Sequence, residues 1–244
     1  METLIPNLPL FFSFFLLIYL SAQFIVFRSW SPKFRPEASS CLISLFHGTP
    51  AVFFAAYAIF TDASHSFSSP NTRTQNAVLD YSIAYFLMDL VHYIVFFPSD
   101  LLFIGHHLAT LFVFITCRYV VSHGAFAILS LLILAEVTSA CQNAWTLARA
   151  RREDVKFAAK LYDSLSPPFY AFYCLVRGFL GPYFVYKMGR FYVSGVAENV
   201  IPKWVWVSWM IVVMMAISVS LLWISNLWVE LYREKKGRFG KKLT

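Results

Sequence analysis

Seven apolar runs separated by short polar connections make up most of the chain: 8–27, 41–60, 79–97, 102–121, 125–147, 168–188 and 204–229. Each approaches the roughly 20 residues that an α-helix needs to cross the hydrocarbon core of a bilayer. None alternates apolar with polar positions, and all are longer than a barrel strand. Backbone groups in lipid must be satisfied within the segment, which leaves helices. The pattern predicts an all-α integral membrane protein with about seven transmembrane helices. Pro50 in the second run and Gly181-Pro182 in the sixth predict kinks. The first run follows a start that carries Glu2 and no basic residue, unlike a secretory signal, so it is read as a retained helix. The connection 28–37 holds Pro32 and Pro36, 61–76 is rich in Ser, Thr and Asn, and 149–163 is charged.

Composition agrees with a lipid solvent. Of 244 residues, 59% are hydrophobic, 19% aromatic and 14% charged, against about 25% charged in soluble domains. The net charge of +7 is carried by short segments between apolar runs. That placement concerns orientation and anionic headgroups, and it excludes a nucleic-acid partner. Fourteen basic residues fall on one side of the membrane: Arg28, Lys33, Arg35, Arg149, Arg151, Arg152, Lys156, Lys160, Arg233, Lys235, Lys236, Arg238, Lys241 and Lys242. Five fall on the other: Arg73, Arg118, Lys187, Arg190 and Lys203; Arg177 lies inside a run. The positive-inside rule then predicts a lumenal amino terminus and a cytosolic carboxyl terminus. The cysteines Cys41, Cys117, Cys141 and Cys174 all lie in or at the end of apolar runs, so no disulfide framework is expected.

The chain ends Lys241-Lys242-Leu243-Thr244. Two lysines at the third and fourth positions from the end of a cytosolic tail resemble the dilysine address read by coat protein, which returns membrane proteins to the endoplasmic reticulum; such signals are read by receptors and do not anchor. The simpler reading is a basic tail attracted to anionic lipid.

Ionisable groups inside a membrane are costly and by default mark function. Asp89 and His92 are three apart and share a helix face with Tyr85, an arrangement that can orient an imidazole for proton transfer. It can equally be an interhelical staple. His106 and His107 project about 100° apart on a helix, so they cannot face one partner together; Thr110 lies on the His106 face. Glu136, Ser139 and Asn143 form one polar stripe, for which Arg177 or a histidine is the expected partner. His47 adjoins the Pro50 kink, whereas His65 and His123 fall in or near connections and carry no role. Histidine-box metal chemistry would need more than the six histidines present, and no metal site is expected.

Taken in order, Ser44-x-x-His47-Gly48, Asp89-x-x-His92, His106-His107-x-x-Thr110 and Glu136-x-x-Ser139-x-x-x-Asn143 resemble the TLC-domain family. That family groups translocating-chain-associating membrane proteins, longevity-assurance ceramide synthases and the ceroid-lipofuscinosis cargo receptor. The resemblance implies a protein of the endoplasmic reticulum or Golgi with a six-helix TLC core at 36–236, an amino-terminal helix and loop at 1–35, and a basic tail at 237–244. Ceramide synthases use the double histidine to move an acyl group from acyl-CoA to a sphingoid amine. Their downstream acidic motif does not carry over: its positions fall on Ile133, Leu134 and Val137, with Glu136 one place away. The Glu-x-x-Ser pattern is similar to the small non-synthase branch, which implies lipid homeostasis.

The expectation is therefore a lipid-binding or lipid-processing protein with one intramembrane cavity. His106 and His107 are its catalytic candidates, and Asp89 and His92 support them. His47, Glu136, Ser139 and Asn143 are the lipid-binding candidates. No cofactor is expected beyond acyl-CoA as a possible co-substrate; membrane lipid is the expected partner. A non-enzymatic lipid sensor or cargo receptor is the alternative, and a seven-helix receptor has only helix number behind it.

Overall fold

A computed structural model of the chain describes residues 7–240, with side chains up to Arg233. Lys241 and Lys242, the expected address, lie outside the described residues. The helices are α1 (Asn7–Ser21, continued by a π turn Ala22–Val26), α2 (Arg35–Phe60), α3 (Arg73–Phe96), α4 (Leu101–Ile115, continued by a π turn Thr116–Val121), α5 (Ala125–Glu136), α6 (Ser139–Ala150), α7 (Lys156–Tyr173), α8 (Gly181–Val193, joined to α7 by the π turn Cys174–Leu180) and α9 (Lys203–Gly240). Among the described residues there is no strand, only an isolated bridge between Pro70 and His123.

Six helical stretches are long and apolar enough to cross a membrane: Asn7–Val26, Arg35–Phe60, Arg73–Phe96, Leu101–Val121, Ala125–Ala150 and Lys203–Arg233. The remaining expected run, 168–188, is helical throughout, but its Pro, Tyr, Arg177 and Lys187 keep it out of that set. It nevertheless runs the length of the bundle. Near its start Ser166 Oγ accepts from Trp145 Nε1 of α6 at 2.9 Å. At its far end Tyr192 donates to the Phe67 carbonyl, 3.0 Å away, in the connection between α2 and α3. Those two places lie at opposite ends of the bundle, since α5 and α6 run from the Ser69–Gly124 contact to the Arg149–Glu230 ion pair.

Several helices begin earlier than the apolar runs do. α2 starts at Arg35, six residues ahead of its run, because Pro36 in the first turn needs no partner for its missing N–H. Arg35 also ties back to the Arg28 and Trp30 carbonyls, at 2.9 Å each. α3 starts at a capping box in which Thr72 and Gln75 exchange hydrogen bonds, and Gln75 Nε2 reaches on to Asp62 at 2.9 Å. α5 starts where its run does, just after Gly124, whose φ of 85° belongs to the left-handed region, and Asn71 Oδ1 accepts from the freed Ala125 N–H at 2.9 Å.

The central helix is α3. Within its spanning window 72% is buried, against 17% for α1 and α9. The large apolar side chains left exposed, among them Leu17, Ile25, Phe53 and Leu222, face outward, as suits lipid. Between helices the contacts are polar and specific. Arg118 grips Asp80 through Nε and Nη2 at 3.0 and 3.3 Å, and Tyr119 donates to the same carboxylate at 2.7 Å. Trp209 Nε1 donates to Thr116 Oγ1 at 2.7 Å, fixing α9 against the π turn of α4. At the Arg149 end, the guanidinium groups of Arg149, Arg151 and Arg152 lie over the rings of Trp145, Trp30 and Tyr162, an aromatic and basic girdle of the kind found at membrane interfaces.

Candidate functional site

The turn at Phe97–Asp100 folds α3 and α4 into an antiparallel hairpin. Asp100 caps α4 by accepting from the Phe103 N–H at 3.3 Å. Folding back at Pro98 brings Asp89 level with His107, and His107 Nε2 lies 2.8 Å from Asp89 Oδ2. The other carboxylate oxygen accepts from Ser40 Oγ of α2 at 2.7 Å. His107 Nδ1 lies 2.8 Å from the Phe103 carbonyl. A carbonyl only accepts, so Nδ1 carries a proton, and a single further proton lies between Nε2 and the carboxylate. His107 and Asp89 are 4% and 3% exposed, which makes this a closed, fully partnered pair.

The expected pairing of Asp89 with His92 is corrected. The two share a face of α3, but His92 turns to α1, where its Nδ1 meets Tyr19 OH at 2.8 Å. Its ring is packed among Phe96, Phe97 and Tyr93. Helical spacing places two residues on one face without deciding which of two neighbouring helices each will meet. His47 is likewise a core residue: it stacks on Tyr85 at 4.0 Å between centroids and 6° between planes, and its Nε2 lies 3.1 Å from Ser82 Oγ.

His106 behaves differently. Its ring is nearly perpendicular to that of His107, with centroids 5.6 Å apart and 86° between planes, as adjacent positions on a helix require. It is exposed, forms no side-chain hydrogen bond among the described residues, and lines a cavity of about 150 Å³. Thr110, on the same wall, donates back to the His106 carbonyl at 2.9 Å and not to its ring. The cavity lies between α4, α5, the α7–α8 junction and α9, with Phe86 of α3 at its inner wall. Its walls are apolar, with Phe114, Ile128, Leu132, Val212 and Ile217 among them, and they also carry Glu136, Arg177 and Ser220.

Glu136 stands at the break between α5 and α6. Ser139 Oγ donates to its Oε2 at 2.5 Å. Asn143 Nδ2 donates to Ser44 Oγ and to the Ser139 carbonyl, both at 2.9 Å, joining α6 to α2. Gly48 of α2 makes this approach possible, because a Cβ there would stand 2.6 Å from Glu136 Oε2 and 2.8 Å from Ser139 Cβ. Arg177, the suggested partner of Glu136, donates instead to the Ala135 carbonyl at 2.5 Å, where α5 ends.

The expected residues thus separate into three groups. His106 and Glu136 line the cavity, with Ser139 and Asn143 behind Glu136. Asp89 and His107 form the closed pair one layer deeper, and His47 and His92 are packed by α1. The single cavity expected for all of them is not what forms, since α3 turns its polar residues toward three different helices. His107 is oriented by its partners but shielded, and His106 is reachable but held by no carboxylate. Sequence reasoning missed the Asp80–Arg118 pair and Ser40. No group of three or more His, Cys, Asp or Glu side chains among the described residues is arranged to hold a metal ion.

A family model described as the TLC domain matches residues 37–229. A TLC domain-containing protein of Arabidopsis thaliana is 65% identical over 247 residues, covering 99% of this chain and 97% of that protein. No solved structure matches the chain.

Proposed function

This chain belongs to the TLC-domain family of multi-pass membrane proteins, and from that premise we propose that it binds an acyl-bearing membrane lipid in the cavity beside His106, serving lipid homeostasis in the endoplasmic reticulum. The observation that carries this reading is the cavity itself: walls from five segments of the bundle, apolar except for His106, Thr110, Glu136, Arg177 and Ser220. Apolar walls with a few polar groups are the usual build of a small-molecule site. The full chain in phosphatidylcholine nanodiscs, given a diazirine-bearing acyl lipid and illuminated, should be labelled on α4, α5 and α9 at cavity residues. Ala216→Trp, which fills the cavity, should lower labelling severalfold at an unchanged melting temperature. Undiminished labelling in that variant would remove the cavity as the site.

A second reading, acyl transfer from acyl-CoA, is favoured by one observation: the His106 imidazole faces the cavity with neither nitrogen hydrogen-bonded among the described residues. In that role it acts as base or transient acyl acceptor. In cells lacking the protein, His106→Gln should then fail to restore the lipid profile although it reaches its membrane. Normal rescue would leave binding as the function.

The address follows from the charge bias, which supports a cytosolic carboxyl terminus. Lys241→Ser with Lys242→Ser should move the protein from the endoplasmic reticulum to later compartments. An unchanged steady-state location, seen by microscopy beside a reticular wild type, would mean that the two lysines are not read.

A further inference from the structure

The cavity carries a guanidinium and a carboxyl group that are not in contact with each other. Arg177 has no carboxylate oxygen within 4.0 Å among the described residues, and Glu136 has no cationic nitrogen within that distance. Arg177 spends one N–H on the Ala135 carbonyl and lies over the Tyr173 ring, 5.4 Å from its centroid. Its Nε is buried without a hydrogen-bond partner. A guanidinium within the apolar bundle is costly without compensation, and intramembrane charges of this kind mark sites. Its planar fork matches a carboxylate or a phosphate better than any neutral group.

We infer that the ligand of this cavity is an acyl lipid with an anionic oxygen head, carboxylate or phosphate, held by Arg177. The inference rests on the lipid-binding reading above and adds to it the charge of the head. Glu136 sets a further condition. Its Oε2 is occupied by Ser139, while Oε1 has no partner among the described residues. A head that brings a hydroxyl beside its anion gives Oε1 a donor, which an anion alone does not. The chain of such a lipid lies among Val113, Phe114, Ile128, Val212 and Ile217.

Binding of three radiolabelled probes to the full chain in phosphatidylcholine nanodiscs tests this. The probes are lysophosphatidate with a phosphate and a hydroxyl, palmitate with a carboxylate alone, and monopalmitoylglycerol with hydroxyls and no charge. The wild type should hold at least one anionic probe about tenfold tighter than the neutral one, the worth of one charge-assisted hydrogen bond. The tighter of the two identifies the head, phosphate with a hydroxyl or carboxylate alone. Arg177→Gln should bring that ratio close to one. If the variant does not fold, Arg177→Lys, which keeps the charge and loses the fork, should shrink the ratio without abolishing it. Equal affinity for all three probes in the wild type, or an unchanged ratio in a folded variant, would overturn the anionic head while leaving the cavity intact. No binding of any probe would take the lipid-binding reading down with it.

Discussion

Asp89→Ala is expected to destabilise the protein by about 3–5 kcal/mol, the cost of removing one partner from a buried ion pair. His107 would keep its bond to the Phe103 carbonyl but lose its partner at Nε2, and Ser40 would lose its acceptor. Nothing polar replaces the carboxylate, because α2, α3 and α4 close around it. Asp89→Asn has the same shape and leads to a different result. Its carbonyl can still accept from Ser40, and its amide can donate to a neutral His107 whose proton sits on Nδ1. Thermal melting of the purified variants, followed by size-exclusion fluorescence, should place Asn close to wild type and Ala far below it. If Asn falls as far as Ala, the charge itself holds the hairpin to α2, and hydrogen bonding alone does not.

Gly48→Ala is expected to lower the melting temperature as well, by an amount corresponding to about 1–3 kcal/mol of overpacking. Two effects compete. Alanine is the better helix former by about 1 kcal/mol, which would raise stability. Against it stand two contacts below 3.0 Å, one with Glu136 Oε2 and one with Ser139 Cβ. A carboxylate can swing away, but Ser139 Cβ is fixed to the backbone of α6, so α2 and α6 would have to separate. The clash therefore prevails. Its effect reaches the cavity, because the displaced carboxylate is the one that lines it. A melting temperature above wild type would show that the helices part easily.

The hydrophobic runs carried the fold. Lipid leaves so few ways to satisfy a backbone that length and apolarity located the passes, and polar interruptions located the turns. What the runs could not tell was rotation. Asp89 was legible as an intramembrane carboxylate, yet helical spacing pointed it at His92 when its partner is His107. A signal for the true partner was available. In a hairpin of two helices, residues equally far from the turn lie at equal depth: Asp89 and His107 are each nine residues from Pro98, and Asp80 and Arg118 are each nineteen from Ser99. Counting outward from a tight turn would have found both pairs. The perpendicular roles of His106 and His107 were legible from adjacency alone. Which of them met the cavity was not, since that depends on where α9 and the α7–α8 junction pack. Gly48 stood in the motif that pointed to the family, but its reason, a close approach by residues some ninety positions later, exists only in three dimensions.

The amino-terminal helix lies beyond the stretch matched by the family model, yet it is built into the core. Phe15 packs on His47 and Tyr85, and Tyr19 supplies the only hydrogen bond to the His92 ring among the described residues. On that flank α1 is the local solvent for two imidazoles: it offers them an apolar ring, a second ring and one hydroxyl, where a bilayer would offer only hydrocarbon. A chain beginning at the family boundary would turn both histidines toward acyl tails. During synthesis the same dependence runs in sequence order, because α1 is made first and Tyr19 has no hydrogen-bond partner until α3 emerges and presents His92. The family-model boundary therefore marks where the shared domain pattern begins, and the packed core includes one helix before it.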